Sequence, residues 1–563
     1  MIFYPLDREK TQKEELSYLT IEKGTELFKD KKRYLKFLTD CFGLNLHINT
    51  VKDLLDGLKS WFSYKELNIV NVYTLAKKCN CLYKKETVTS CQSLCPVSVD
   101  VRYFINQLEK IRLLINNSFI NLNFKNIECL LSSLTENSHD FDSEFIKKID
   151  LLIYNAHLNI MKANPLYVAT ASVCPAELLC ESPCNSHVSI GNLESFIGGW
   201  IVTNEERMRR YDWFKQENIL EKKTKKIAIL GSGPAGLAAA YYLAKSGYIV
   251  SVYEASSNAG GILMNHIPEF RLPKDRIKFV IEMLESMGVK FKLNTTIKKI
   301  EKKKKGKYFN INGEDFDTYV IAIGKGEPYY PGNKIDYVNV FFETTLLKEI
   351  NYYVDYHLNN AKTFLNEKSI IEDFIMKIHG KNAVAIGAGN SALDVARTLL
   401  RLHAKKVYVL SGAVKRKTNR FDKPPTTLCR EVKAAQKEGV KIIYGSNYIN
   451  LYCKNGKDHR VSHVQFLQNG KTKEIAVAFV VYALGRKLSN LYNLDVLIND
   501  YNQIINRSEL NGSPHATGDC TTKYINGKKP YEVDFDHPHY FNNVITAISS
   551  GRKAAQAIDN ELM

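Results

Sequence analysis

Nowhere in this 563-residue chain does an apolar run approach the roughly 18 residues that a membrane-spanning helix needs. The N-terminus, Met1-Ile-Phe-Tyr-Pro-Leu-Asp-Arg-Glu-Lys10, becomes charged too early for a secretory signal. No recognisable nucleic-acid-binding module is present. No two cysteines stand at Cys-x2-Cys spacing, which argues against a redox-active pair of that kind. Acidic residues are the minority, 60 against 78 basic, giving a net charge of +18. Much of the excess lies in lysine-rich stretches such as 298–307, so it reads as a solvated surface able to steer acidic partners or nucleotides. These absences together predict a soluble cytoplasmic protein without nucleic-acid or membrane partners.

Apolar and aromatic contents of 45% and 11% are ordinary, so large cores can form. The length fits about three to four domains. Two glycine fingerprints stand out: Gly231-Ser-Gly233-Pro234-Ala235-Gly236 and Gly387-Ala-Gly389-Asn390-Ser391-Ala392. Each follows an apolar strand-like run, 226–230 and 383–386, and leads into a helical pattern. That context suits a dinucleotide, because glycines let the backbone approach a pyrophosphate seated on a helix N-terminus. The competing reading is a tight strand–helix turn with no ligand.

The residues downstream of each fingerprint separate the two sites. Glu254 stands 23 residues after Gly231, where an acid accepts hydrogen bonds from an unphosphorylated ribose. Leu410 stands at the same interval from Gly387, and the next loop carries Lys415, Arg416, Lys417 and Arg420. Those cations suit a 2′-phosphate, although a solvated charge run has the same composition. The first site is therefore expected to hold FAD and the second NADPH.

From 226 onward strands and helices alternate, which predicts a doubly wound α/β sheet. Strands are expected at 226–230, 248–253, 317–323 (ending at Gly324), 406–409 and 475–484, with helices at 236–246 and 544–558. Residues 1–70, 101–116 and 143–161 read as helical, 336–379 as helical and polar, and 201–225 as a charged bridge. Twelve cysteines occur, and seven cluster: Cys79, Cys81, Cys91 and Cys95, then Cys174, Cys180 and Cys184. In a large chain of this kind, clustering favours metal ligation over disulfides.

Val173-Cys-Pro-Ala-Glu-Leu-Leu-Cys-Glu-Ser-Pro-Cys184, followed by Ser189-Ile-Gly-Asn-Leu-Glu194, resembles the small subunit of NADPH-dependent glutamate synthase. It also resembles the N-terminal half of dihydropyrimidine dehydrogenase. The flavin segment Gly260-Gly261-Ile-Leu-Met-Asn-His-Ile-Pro-Glu-Phe-Arg271-Leu-Pro273 and the terminal Ala516-Thr-Gly518-Asp519 are similar to the same family. The resemblance covers about residues 75–563 and implies a helical iron–sulfur domain, then an FAD domain split by an inserted NADP domain. The implied divisions are 1–70 (helical extension), 71–200 (Cys-rich), 201–335 and 486–563 (FAD), and 336–485 (helical insertion and NADP). It implies that Asp519 bonds the ribityl–phosphate part of FAD; its alternative is a helix N-cap. Arg271 either lines the flavin or simply packs. Arg486 falls at a family position near the junction of the nucleotide domains, or forms a surface ion pair.

The resemblance also implies 4Fe–4S ligands. Cys91-x3-Cys95-Pro ends like a ferredoxin-type run, but Cys79-x-Cys81 and the gap before Cys91 depart from the family. In the second group Thr170 stands where glutamate synthase relatives have cysteine, and Glu194 matches a side-chain ligand of dihydropyrimidine dehydrogenase. One or two clusters are expected; a degenerate domain and a zinc site are the alternatives. The implied function is electron transfer from NADPH through FAD to clusters and then to a partner subunit. The alternatives are a pyridine nucleotide-disulfide flavin reductase without clusters and a non-catalytic assembly subunit.

Overall fold

The computed structural model describes residues 90–118, 143–212, 221–303, 308–330, 337–359, 374–375, 377–387, 389–412, 429–454, 459–488, 515–517 and 543–563. The expected helices of 1–70 lie outside these residues, as do Cys79, Cys81, Lys415, Arg416, Lys417, Arg420, Gly518 and Asp519. The chain divides into two compact units. One contains Asn265–Phe270 and Glu327–Arg486; the other contains Arg271–Gly326, Lys487–Met563 and the described residues up to Met264.

The second of these begins with helices. Val101–Ser118 (α1) and Ser143–Ala163 (α2) pack together. Phe104, Ile105, Leu108 and Ile111 recur at helical spacing and are buried, as are Ile149, Ile153, Ala156 and Ile160. Ile190–Thr203 (α3) is apolar nearly all round, as a helix enclosed by protein should be. It runs past residue 201, where the sequence suggested a charged bridge, and Ile201 is fully buried. Asp150 on α2 ties these elements together. It is fully buried and accepts hydrogen bonds from Trp200 Nε1 (2.8 Å), Arg207 Nε and NH2 (2.9 Å each) and Tyr211 Oη (3.1 Å).

The nucleotide-type sheet of this unit starts at Lys226–Leu230 (β1), followed by Pro234–Lys245 (α4) and Ile249–Tyr253 (β2). After Lys274–Ser286 (α5) come Lys290–Lys292 (β3), the antiparallel strands Ile300–Lys303 (β4), Tyr308–Ile311 (β5) and Glu314–Phe316 (β6), and then Thr318–Ile321 (β7). β1 pairs in parallel with both β2 and β7. The full order is His515–Ala516, β7, β1, β2, β3. Only residue 226 of β1 is exposed, the pattern of a strand covered on both faces. The C-terminal helix Val544–Leu562 opens with a capping box in which Asn543 and Thr546 exchange side-chain and backbone bonds. It packs on α4 at very close range: a Cβ on Gly551 would lie 2.2 Å from the Ala235 carbonyl oxygen.

The other unit repeats the design. Its strands are Val340–Phe342 (β8), Asn382–Ile386 (β9), Lys406–Ser411 (β10), Lys441–Tyr444 (β11), Asn447–Tyr452 (β12), His463–Gln468 (β13), Lys471–Ala476 (β14) and Phe479–Tyr482 (β15). Its principal helices are Glu343–Asn359 (α6), Asn390–Arg401 (α7) and Cys429–Lys437 (α8). The parallel sheet has the order β11-β10-β9-β15-β8. As in the first unit, a three-stranded antiparallel sheet (β12–β14) precedes a parallel strand beside the first. The apolar stretch 475–484, expected as one strand, is thus the end of β14 and all of β15. β8 replaces part of the stretch expected to be helical, while α6 follows it. Asn265–Phe270 is built into this unit. Asn351 Nδ2 donates to the Asn265 and Ile267 carbonyls at 3.0 and 3.1 Å. Phe270 is buried with the Arg397 and Arg401 guanidinium groups 4.7 and 3.8 Å from its ring centre.

Candidate functional site

The first glycine loop leaves β1 and enters α4 with each glycine under a different constraint. Gly231 has φ +102°, and a Cβ there would lie 2.4 Å from the Ala322 carbonyl oxygen. A Cβ on Gly236 would lie 2.0 Å from the Gly231 oxygen, so the third glycine permits the helix to close on the strand. Gly233 has nothing within 4 Å of its Cβ position, the open side on which a pyrophosphate would approach. Gly233 caps α4 without a side-chain bond and Pro234 occupies the first turn, leaving the neighbouring amides free for an anion. Gly261, at φ +54°, comes against Gly233, with its Cβ position 2.7 Å from the Gly233 Cα. The Gly260–Gly261 segment thus meets the glycine loop directly.

Glu254 lies just past β2, and its carboxylate is already oriented. Oε2 accepts from Ser232 N (3.0 Å) and Ser232 Oγ (2.6 Å), and Oε1 accepts from Ser256 N (2.8 Å). Ser232 Oγ in turn accepts from Gly260 N at 3.0 Å. One buried hydroxyl therefore joins the glycine loop, the Glu254 carboxylate and the Gly260–Gly261 turn. The sequence reading missed Ser232 because it occupies a variable position of the fingerprint. A cleft of about 390 Å³, counting its open mouth, is lined by Leu230, Gly231, Tyr253, Glu254, Thr295 and Ile323 among others. Gly324 follows β7 at φ +63° with open space around it. Thr517, directly before Gly518, donates its N–H to the Ile321 carbonyl and is fully buried. Arg271 is buried with Phe270 and Leu272 beside it, not exposed as a surface cation. Loop, oriented acid and cleft together fit an adenosine diphosphate moiety such as FAD carries.

At the second loop Gly387 has φ +152°, and a Cβ there would lie 2.1 Å from the Ala483 carbonyl oxygen. Gly389 caps α7 without a side-chain bond, and Asn390, Ser391 and Ala392 form its first turn. Ala392, fully buried, replaces the third glycine. The ladder shifts the expected equivalence by one residue. Gly231 N bonds the Tyr253 carbonyl, whereas Gly387 N bonds the Leu410 carbonyl. Leu410 therefore matches Tyr253, and Ser411 stands where Glu254 does. The conclusion is unchanged, because a hydroxyl replaces the acid and no carboxylate there opposes a 2′-phosphate.

The cysteines sort differently in space than along the chain. Burial pushes the Cys180 thiol well up, and Glu194, Cys174, Cys95 and Glu181 all push it further. Burial likewise raises Cys95, with Glu194 adding to it. Cys95, from the first sequence group, therefore shares an environment with Cys174, Cys180 and Glu194. Glu194 is buried and lifted to about 8, first by burial and then by Glu181. Cys91 and Cys184 are less buried. Thr170 turns its hydroxyl back onto the Leu166 carbonyl at 3.0 Å. Among the described residues no three His, Cys, Asp or Glu side chains are gathered tightly enough to hold a metal ion. The donor set nevertheless fits: buried neutral thiols and a buried acid would lose protons on metal binding, which repays their desolvation.

The chain belongs to the pyridine nucleotide-disulphide oxidoreductases, whose family model matches residues 225–551. Residues 139–206 match the model of dihydropyrimidine dehydrogenase domain II, 4Fe-4S cluster. The Escherichia coli K12 glutamate synthase (NADPH) small chain is 26% identical over 426 residues, covering 71% of this chain and 82% of its own. The NAD-dependent dihydropyrimidine dehydrogenase subunit PreT of E. coli O157:H7 is 28% identical over 413 residues, covering 72% and 84%. The small chain from Bacillus subtilis is 29% identical over 335 residues, covering 56% of this chain and 59% of its own. Among solved structures, Lactococcus lactis thioredoxin reductase covers 60% of this chain and 98% of its own, at 19% identity and a TM-score of 0.42. The protein is a flavoprotein oxidoreductase with a 4Fe–4S-type segment, and its family implies FAD and a pyridine nucleotide. No helix among the described residues is long and apolar enough to cross a membrane.

Proposed function

We propose that the protein takes electrons from NADPH, passes them through FAD to one or two 4Fe–4S clusters, and delivers them to a partner subunit. The observation that carries this reading is the shared environment of Cys95, Cys174, Cys180 and Glu194 in the same compact unit as the Gly231 loop. A flavin reductase without clusters has no use for that constellation. When bound, the nicotinamide would supply a hydride, the flavin would return it as two single electrons and a proton, and the clusters would carry the electrons outward.

The residues' own work is binding and positioning. Ser232 fixes Glu254 for the adenosine ribose of FAD, the α4 amides take the pyrophosphate, and Asp519 takes the ribityl–phosphate end. Gly387, Gly389 and the first turn of α7 cradle the pyridine nucleotide, and Arg416 and Arg420 receive its 2′-phosphate. Cys95, Cys174 and Cys180 hold one cluster with Glu194 as fourth ligand. Cys91 and Cys184 hold the other with Cys79 and Cys81. The proposed architecture is a helical extension (1–70), a helical iron–sulfur domain (71–200), and an FAD domain (201–335 and 486–563) carrying the NADP domain (336–485) as an insertion. The partner is an electron-accepting subunit like the large one that the name of the glutamate synthase small chain implies, and the setting is cytoplasmic.

The test is an anaerobic NADPH titration of purified protein with flavin and iron quantified. Flavin bands and broad visible absorbance that both bleach support the reading. A yellow protein without iron would leave a simple flavin reductase. A colourless protein indifferent to NADPH would refute both.

A further inference from the structure

Arg486 and Glu343 stand apart from the glycine loops and the cysteines, at the carboxyl edge of the second parallel sheet. Glu343 directly follows β8, and Arg486 lies four residues beyond the last residue of β15. The strand order places β9 between β10 and β15, so the sheet reverses direction of build-out between β9 and β15. A dinucleotide crosses such a sheet at that crevice, with its pyrophosphate on the glycine loop. Its adenosine ribose lies beyond the strand that follows the glycine-loop helix, here the Ser411 end of β10. The nicotinamide half therefore falls on the other side, over β15 and β8, where these two residues stand.

The local chain is shaped for that position. Ala483 lies against Gly387, after which Leu484 and Gly485 turn out to solvent. Gly485 has φ +97°, and its carbonyl accepts from Tyr329 N at 3.1 Å, fixing the turn. Arg486 Nε then donates to Glu343 Oε1 at 3.2 Å. Glu343 is 1% exposed, and its Oε2 meets no donor among the described residues. Burial raises the Glu343 pKa, and Arg486 opposes that rise. Because Glu343 engages only Nε, both terminal amino groups of Arg486 make no hydrogen bond to a described residue. A buried carboxylate thus holds a guanidinium by its inner nitrogen, in a side chain only 14% exposed, and the two terminal amino groups keep the planar fork that suits acceptor oxygens.

We propose that Arg486 binds the nicotinamide mononucleotide half of the pyridine nucleotide, through that half's acceptor oxygens, with Glu343 as the positioning residue. This deepens the proposed function and rests on the Gly387 loop being a pyridine-nucleotide site. The alternative is an ion pair that only anchors the start of α6.

Calorimetric titration of the full-length flavin-loaded protein separates these. The probes are NADP+, nicotinamide mononucleotide, and 2′,5′-ADP, which lacks the nicotinamide half; NAD+ and AMP serve as the unphosphorylated counterparts. R486Q is expected to weaken NADP+ and nicotinamide mononucleotide by about tenfold or more, the scale of a lost charged hydrogen bond. Its 2′,5′-ADP affinity should stay within about twofold, which also shows that the unit is folded. R486K should recover part of the loss, and E343Q should weaken the same two probes less than R486Q does. Equal weakening of all probes, or none, would overturn the proposal. Wild-type protein that binds no pyridine nucleotide would overturn the proposed function with it. Nucleotide binding with the expected variant pattern but without flavin reduction would overturn the proposed function and sustain this assignment.

Discussion

Replacing Ser232 with alanine removes one oxygen that serves three elements at once. The hydroxyl donates to the Glu254 carboxylate at 2.6 Å and accepts from Gly260 N at 3.0 Å, with Ser232 fully buried. The first bond is charge-assisted and contributes about 1.5–3 kcal/mol; the second leaves a buried backbone donor unmet, at about 1–3 kcal/mol. Two other bonds to Glu254 survive, from Ser232 N and Ser256 N. The acid therefore stays roughly in place, and the net cost falls near the low end, about 2–4 kcal/mol. Thermal melting of flavin-free protein should drop by several degrees. FAD affinity, read from fluorescence of released flavin, should fall by a smaller factor, about fivefold to tenfold, because only the setting of Glu254 is loosened. A double-mutant cycle with Glu254→Gln isolates the shared term. Coupling of about 1 kcal/mol or more is expected. Strictly additive variants, or an unchanged melting temperature for Ser232→Ala, would refute the reasoning.

Other perturbations probe different layers. Gly551→Ala places a methyl 2.2 Å from the Ala235 oxygen, so the C-terminal helix must move off α4. About 1–3 kcal/mol of lost stability and a lower FAD content on purification are expected, and wild-type flavin occupancy with unchanged melting would refute it. Asp150→Ala strands Arg207 and Trp200 beside the α2–α3 contact. A loss of about 3 kcal/mol should appear in urea denaturation of the cluster-free protein, and a change under about 1 kcal/mol would count against the network. Glu438 is pulled up by burial but held at about 2 by its bonds to Arg401 and Arg397. Its folded pKa lies below the unfolded value, so its contribution is present at neutral pH and is lost as pH falls from about 4.5 towards 2. Glu438→Gln should therefore be less stable than wild type at pH 7 by on the order of 2 kcal/mol, with the gap closing below about pH 4.5.

The features written in local pattern were legible from sequence. β1 and β9 are short apolar runs ending at glycines, and the glycines are demanded by close carbonyls. β8 was not legible. It has three residues, and what makes it a strand is pairing with β15, a tertiary fact. The run 475–484 hid a break because both strands inside it are apolar, and the corner at Val477–Ala478 carries no glycine or proline. Leu410 was matched to Glu254 by counting residues, and the hydrogen-bond ladder corrects the count to Ser411. Spacing placed Cys95 with Cys91, its neighbour in sequence. Folding also brings it within electrostatic reach of Cys180, a neighbour that chain order does not show.

The six residues 265–270 bear on how this protein could be divided. They are encoded amid one compact unit and built into the other, with Phe270 under Arg397 and Arg401 and two carbonyls capped by Asn351. A gene fragment cut at 327 and 486 would lack them, leaving an empty aromatic slot and an unused amide on α6. Trading such a module between proteins would therefore need a matching edit more than fifty residues upstream of the first cut. Recombination at the visible boundaries alone would yield a damaged part.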